Sequence, residues 1–133
     1  MADQPAAQEP PDFDSQYRPL LKEVFGEIAR KDQQNGVDLD EEARLYAERG
    51  KPDFVLAYLL AGDLSQAQKR EIFAYAHEQR AAYIERRARE FDQQFHRPFP
   101  LLQTEAAKDR TLARQIRAGR PISKGAGRQL PTF

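Results

Sequence analysis

The chain has 133 residues, of which 40% are hydrophobic and 32% are charged, with 9 prolines and 7 glycines. This length fits one domain, and the composition is typical of a globular protein rather than of a collagen or a wholly disordered chain. Cysteine is absent, which excludes disulfides and thiolate chemistry and favours a cytoplasmic location. The sequence has neither a membrane-spanning apolar run nor a secretory signal.

The net charge of zero conceals a gradient along the chain. Residues 1–64 carry 7 basic and 14 acidic side chains, whereas residues 97–133 carry 8 basic and 2 acidic ones. A chain polarised in this way can neutralise its own ends, pair with a copy of itself, or present its basic end to an acidic partner.

The positions of the glycines and the scarcity of β-branched residues together predict an all-α fold of about five helices. β-branched residues are sparse, and no stretch alternates apolar and polar residues over the length of a strand. We expect a helical domain over residues 14–119, with a flexible acidic tail at 1–13 and a flexible basic tail at 120–133. Four glycines follow helical segments, at positions where a left-handed backbone is favoured: Gly36, Gly50, Gly62 and Gly119.

The first three predicted helices cover residues 15–34, 39–49 and 52–61. The first has Pro19 in its opening turn, and Asp38 or Asp40 caps the second. The third is apolar on every side but too short for a membrane, so it is either the central core helix or a partner-binding helix. We expect the core, because the other helices need an apolar element to pack against.

The fourth predicted helix, over residues 65–95, begins with Ser65 and Gln68 at the spacing of a capping box. At about 1.5 Å per residue it is longer than a domain of this size is wide, so it projects or lies against a second chain. Its apolar stripe contains Arg80 and Arg87. An arginine in an apolar stripe extends its charged end to solvent, pairs with an acid of the same chain, or binds a carboxylate or phosphate of a partner. The acids expected for internal pairing are on the second helix: Glu41, Glu42 and Glu48.

The fifth predicted helix, over residues 101–118, carries a row of arginines that continues into the basic tail. A basic amphipathic helix is either a solvated face or a surface for nucleic acid, anionic lipid or an acidic groove. No aromatic residues alternate with these arginines, so a base-stacking platform is not indicated. The row consists of Arg110, Arg114, Arg117, Arg120, Lys124 and Arg128.

Signatures of catalysis and metal binding are missing. The two histidines, His77 and His96, do not form a zincin motif or a di-metal motif, and the glycine patterns of nucleotide-binding loops are absent. We therefore predict no catalytic residues, no metal site and no cofactor.

The sequence favours a non-catalytic protein–protein interaction module, such as a small adaptor, assembly factor or accessory subunit. It would dock onto an acidic protein surface through its long helix and basic C-terminal part, and a homodimer through the long helix is an alternative. Another alternative, disfavoured by the neutral net charge, is phosphate binding on nucleic acid through the basic row. The residues predicted to bind the protein partner are Arg80, Tyr83, Arg87, Phe91, Phe95 and Phe99.

Overall fold

The computed structural model describes residues 12–120 of the chain and shows helices and no strand in that range. The all-α prediction and the long helix are confirmed. Both predicted tails lie mainly outside the described residues. The helices are α1 (Phe13–Tyr17), α2 (Glu23–Gln34), α3 (Leu39–Glu48), α4 (Pro52–Ala61), α5 (Gln66–Phe95) and α6 (Pro100–Arg117), with a 3₁₀ helix at Arg18–Leu20 between α1 and α2.

The first predicted helix is wrong as a single element, because the structure divides it at Pro19. Proline has no backbone N–H and its ring collides with the preceding turn, so α1 ends at Tyr17 and Pro19 lies in the middle of the 3₁₀ helix that follows. Leu21 is then extended, with ψ of 131°. The short α1 is held on α5 by Lys69, whose Nζ lies 2.9 Å from Asp14 Oδ1.

Three of the four glycine predictions are confirmed. Gly36, Gly50 and Gly119 have φ between +67° and +79°, which only glycine adopts without strain. The prediction for Gly62 is wrong, since its φ of −92° and ψ of 178° are extended. Gly62 lies three residues before Ser65, the N-cap of α5, so the backbone is extended there instead of turning back towards α4.

Helix α4 forms the centre of the main core, as predicted. Every residue from 55 to 60 is buried, and α4 packs against α2, α3 and α5. Three aromatic rings pack α1 against this core. The ring centroids of Phe13, Tyr17 and Phe73 lie 4.7–5.8 Å apart. Each fully buried ring of this kind contributes about 1.5–3 kcal/mol of hydrophobic stabilisation.

Helices α5 and α6 run antiparallel and form a hairpin. The predicted capping box is present: the Ser65 hydroxyl accepts from Gln68 N, and the Gln68 side chain accepts from Ser65 N. The first half of α5 packs on α1, α3 and α4. A second apolar cluster, Ala81, Ile84 and Ala106 with Leu102, belongs to α5 and α6 alone. The hairpin therefore continues beyond the main core as a two-helix structure.

Candidate functional site

A ladder of ion pairs joins the two helices of the hairpin. Arg117 Nη2 lies 2.7 Å from Glu71 Oε2 and 2.9 Å from Glu78 Oε1. Further along, Arg110 Nη2 lies 2.5 Å from Glu85 Oε1. The three glutamates recur every seven residues of α5 and the two arginines are seven residues apart on α6. Because seven residues make about two turns of an α-helix, this spacing keeps the glutamates and the arginines along the edge where the two antiparallel helices meet.

These ion pairs make the stability of the hairpin depend on pH in the acidic range. Hydrogen bonds from Arg117 and Arg110 hold the pKa of Glu78 and of Glu85 below the ordinary value of 4.5. Their stabilisation is present above pH 4.5 and is lost as the pH falls through the lowered pKa values. We expect a Glu78→Gln, Glu85→Gln variant to lose less stability than the original chain between pH 6 and pH 3.

Urea unfolding at several pH values measures this difference. Both pairs are partly solvated, so each contributes less than about 1 kcal/mol. The matched control is Glu90→Gln, because Glu90 pairs with Arg87 inside α5 rather than across the hairpin. Parallel pH profiles for the original chain and the double variant would contradict the prediction.

A buried charged cluster fixes the register of α6 on α5. The Asp109 side chain accepts from Arg80 Nη1 through Oδ2, and its Oδ1 lies 2.9 Å from His77 Nδ1. All three residues are buried, with His77 0%, Asp109 1% and Arg80 8% exposed. One carboxylate thus receives two nitrogens from adjacent turns of α5. Burial of this kind is tolerated only where the charges are paired.

The prediction that Arg80 pairs with an acid of the second helix is wrong, because its buried partner is Asp109 of α6. A signal for Asp109 does exist, since it falls between Ala106 and Leu112 at helical spacing within the apolar face of α6. Arg80 therefore lies inside the protein, in an internal ion pair, rather than on a surface that a partner reaches.

The far end of the hairpin is more exposed to solvent than the rest of the two helices. From residue 89 to residue 105, which we call the hairpin end, no side chain is fully buried. The chain turns there at His96, whose left-handed backbone (φ 57°, ψ 38°) ends α5. Pro100 then opens α6. Since α5 is one continuous helix of 30 residues, the hairpin end is held away from the main core.

Three phenylalanines form a cluster at the hairpin end. The ring centroids of Phe91, Phe95 and Phe99 lie 5.5–6.1 Å apart, all at tilted angles, as expected for favourable aromatic pairs. The cluster is open to solvent, since Phe95 is 53% exposed and nearby Leu101 is 81% exposed. Exposed apolar side chains grouped in this way mark interaction surfaces.

Two guanidinium groups lie over the rings of this cluster. The Arg87 guanidinium carbon is 4.8 Å from the centroid of Phe91, and that of Arg97 is 4.9 Å from the centroid of Phe99. Cation–π contacts of this kind hold the charges beside the apolar surface. The hairpin end therefore presents aromatic and cationic groups together.

The structure brings together most of the predicted partner-binding residues. Phe91, Phe95 and Phe99 form the cluster, and Arg87 contacts it. Tyr83 is 44% exposed but lies two turns of α5 before Phe91, beside the connection between α3 and α4. Arg97 and Leu101 are not among the residues predicted from the sequence. The available signal for Leu101 is an apolar residue in the first turn of α6, beside the prolines of the turn.

The basic row of the alternative prediction is partly engaged within the chain. Arg110 and Arg117 pair with glutamates of α5. Arg114 is exposed and its Nη2 donates to the Thr111 hydroxyl at 3.2 Å. The Arg120 carbonyl accepts from Gln16 Nε2 at 2.9 Å. Two members of the row lie outside the described residues: Lys124 and Arg128.

Comparison with family models, with curated proteins and with solved structures finds no match for this chain. Between residues 12 and 120, no group of three or more histidine, aspartate or glutamate side chains is placed to hold a metal ion. Within the same range, none of the helices is both long enough and apolar enough to cross a membrane.

Proposed function

We propose that this chain is a non-catalytic protein–protein interaction module that docks through its hairpin end. The observation that carries the proposal is the open cluster of Phe91, Phe95 and Phe99, with guanidinium groups over two of its rings. Aromatic and arginine side chains supply most of the binding energy at protein interfaces. A cytoplasmic location, expected from the cysteine-free sequence, belongs to the same proposal.

The partner that fits this surface is another protein with an apolar pocket edged by carboxylates. The pocket would bury Phe95 and Leu101, and the carboxylates would pair with Arg87 and Arg97. A second copy of this chain is a weaker candidate, because two hairpin ends facing each other would bring their guanidinium groups together. Sedimentation of the purified chain distinguishes the two, since a dimer would appear in the absence of any other protein.

Phosphate binding on nucleic acid is the alternative proposal. Internal pairing of Arg110 and Arg117 reduces the cationic surface that α6 offers, so we rank this function second. Fluorescence anisotropy on duplex and single-stranded DNA tests it directly. Binding to phosphates weakens steeply as salt concentration rises, whereas an interface anchored by phenylalanines responds only slightly.

Substitution at the hairpin end should remove the partner without unfolding the protein. We expect Phe95→Ser to weaken partner binding by roughly tenfold or more, because exposed aromatic anchors contribute at least 1.4 kcal/mol when a pocket buries them. The measurement is quantitative mass spectrometry of proteins retained from the host extract by the original chain and by each variant, followed by affinity measurement with the purified partner.

Val24→Ser is the matched control for this experiment. Val24 lies on α2 and is 55% exposed, close to the 53% of Phe95, so both changes replace an exposed apolar side chain. We expect Val24→Ser to retain the partner that Phe95→Ser loses. If both variants retain the same proteins at the same level, the hairpin end is not the docking surface.

A further inference from the structure

A groove with apolar and charged side chains lies between α3 and α5, and we call it the α3–α5 groove. It has a volume of about 360 Å³, within the range of sites that bind ligands. Its apolar members range from Ala47, which is buried, to Tyr75, which is 38% exposed. An apolar surface that is open to solvent can receive the side chains of another segment. The lining residues are Arg44, Ala47, Glu48, Glu71, Ile72 and Tyr75.

The α3–α5 groove offers one carboxylate at a position that favours a cation. Of the two glutamates in the lining, Glu71 is paired with α6. Glu48 is the last residue of α3, whose last turn contains no basic residue, although cations are favoured at the carboxyl end of a helix. Arg44, one turn earlier, precedes Glu48 in the less favourable order for an ion pair within a helix. The adjacent Arg49 guanidinium lies over the Tyr46 ring, 5.6 Å from its centroid.

We propose that the α3–α5 groove is the docking site of residues 121–133 of this chain, which we call the C-terminal segment. Leu130 and Phe133 pack against the apolar side chains of the groove, and Arg128 pairs with Glu48. The C-terminal segment lies outside the described residues, so the proposal is argued from the groove, from the sequence of the segment and from the point where the two connect. It does not depend on the hairpin end and stands apart from the docking function proposed above.

The described part of the chain ends close to the groove. The Arg120 carbonyl accepts from Gln16 Nε2 at 2.9 Å, and Gln16 Oε1 accepts from Arg70 Nη1 at 3.0 Å. Arg70 directly precedes Glu71, which lines the groove. Two side chains therefore separate Arg120 from the turn of α5 that lines the groove. The C-terminal segment reaches about 40 Å when extended at about 3.3 Å per residue, which is enough to pass around α5 and lie along the groove.

Charge and tethering favour the C-terminal segment as the occupant. It carries Lys124 and Arg128 and no acidic residue. Residues 1–11 carry two acidic residues and no basic one, so their charges would be repelled by Glu48. A short tether supplies an effective concentration of the order of millimolar, so even a groove with a millimolar dissociation constant is about half occupied. A free peptide would need a larger contact surface to reach the same occupancy.

Paramagnetic relaxation enhancement in the full ¹⁵N-labelled chain tests the proposal. Because the chain has no cysteine, Thr132→Cys accepts a single nitroxide label. We expect this label to reduce the signals of the Glu48, Ile72 and Tyr75 amides at least about twofold, since the segment is docked for about half of the time or more. Reduction of the nitroxide gives the reference intensities. The matched control is Gln4→Cys, whose label should leave these three amides unchanged.

Substitutions on both sides identify the contacts. The double change Leu130→Ser, Phe133→Ser should weaken docking at least about tenfold, because two apolar side chains lose their burial. Glu48→Gln should weaken it about twofold to fivefold, as expected for a partly solvated ion pair. Tyr75→Ser should also release the segment. Its matched control is Leu45→Ser, because Leu45 is also 38% exposed but is not among the lining residues.

Three results would overturn the proposal. One is unchanged intensity of the groove amides with the label at Thr132. Another is equal signal loss from the label at Gln4, or equal release by Leu45→Ser and Tyr75→Ser, which would show unspecific contact. The third is signal loss in a mixture of ¹⁵N-labelled chains and separate spin-labelled chains, which would place the segment of a second copy in the groove. Thermal melting detects any unfolding by Tyr75→Ser, and in that case the double change within the segment decides.

Discussion

Asp109→Ala is expected to lower the free energy of unfolding by about 3–5 kcal/mol, the range measured when one partner of a buried ion pair is removed. The Asp109 carboxylate is 1% exposed and accepts from Arg80 and His77. Without it, the Arg80 guanidinium stays buried and loses the carboxylate that it pairs with. The desolvation penalty of that charge, rather than the loss of one attraction, sets the size of the effect.

Urea unfolding followed by circular dichroism measures this change. The matched control is Glu105→Ala, one turn earlier on α6, where the carboxylate pairs with Lys108 at 3.3 Å on the surface. That surface pair should contribute no more than about 0.5 kcal/mol. A double variant, Arg80→Met with Asp109→Leu, should recover much of the stability, since apolar replacements often match a buried ion pair. A loss below about 1 kcal/mol for Asp109→Ala would show that the ion pair does not hold the hairpin in register.

Gly50→Ala is the second change for which we expect a large effect, a loss of about 2–5 kcal/mol. Two separate penalties contribute to it. Gly50 has φ of +67°, a left-handed conformation that costs an ordinary residue about 1–2 kcal/mol. In addition, the new methyl group would lie 2.8 Å from Arg80 N and 3.0 Å from Gln79 C. Both are backbone atoms of α5, so relieving the collision moves a helix, at a further cost of about 1–3 kcal/mol.

Gly36→Ala separates these two penalties. Gly36 has φ of +79°, but a β-carbon there would meet nothing within 4 Å. It should therefore lose only the conformational part, about 1–2 kcal/mol. Thermal melting of both variants gives the comparison, and their difference reports the collision with α5. Equal losses for the two glycines would contradict the close approach of the α3–α4 connection to α5.

The candidate site was predictable from the sequence in part. The positions of Phe91 and Phe95 on one stripe of α5 follow from helical spacing alone. Their contact with Phe99 does not, because Phe99 follows the turn and its ring position depends on where α6 packs. For the same reason helical spacing predicts Arg80 and Arg87 in one stripe, whereas the structure buries Arg80 and leaves Arg87 exposed just before the hairpin end.

The division of the first predicted helix shows a second limit of prediction from hydrophobic spacing. Leu20, Leu21, Phe25 and Ile28 are spaced as one helical face, and all are partly buried against the core. The same periodicity is satisfied by two short helices and a 3₁₀ turn around Pro19. Hydrophobic spacing reports which residues face inward, but a helix and a bent segment can bury the same residues.

The sequence by itself determined the all-α class, the core role of α4, the length and capping of α5, and three left-handed glycines. These features depend on residues within a few positions of one another, where capping, periodicity and backbone preference act. Only the tertiary structure decided that Asp109 neutralises Arg80, that Glu78 and Glu85 neutralise Arg117 and Arg110, and that the three phenylalanines meet. Each of those pairings joins residues of α5 to α6 or its preceding turn, and a charge or ring acquires its partner only after the two helices have packed.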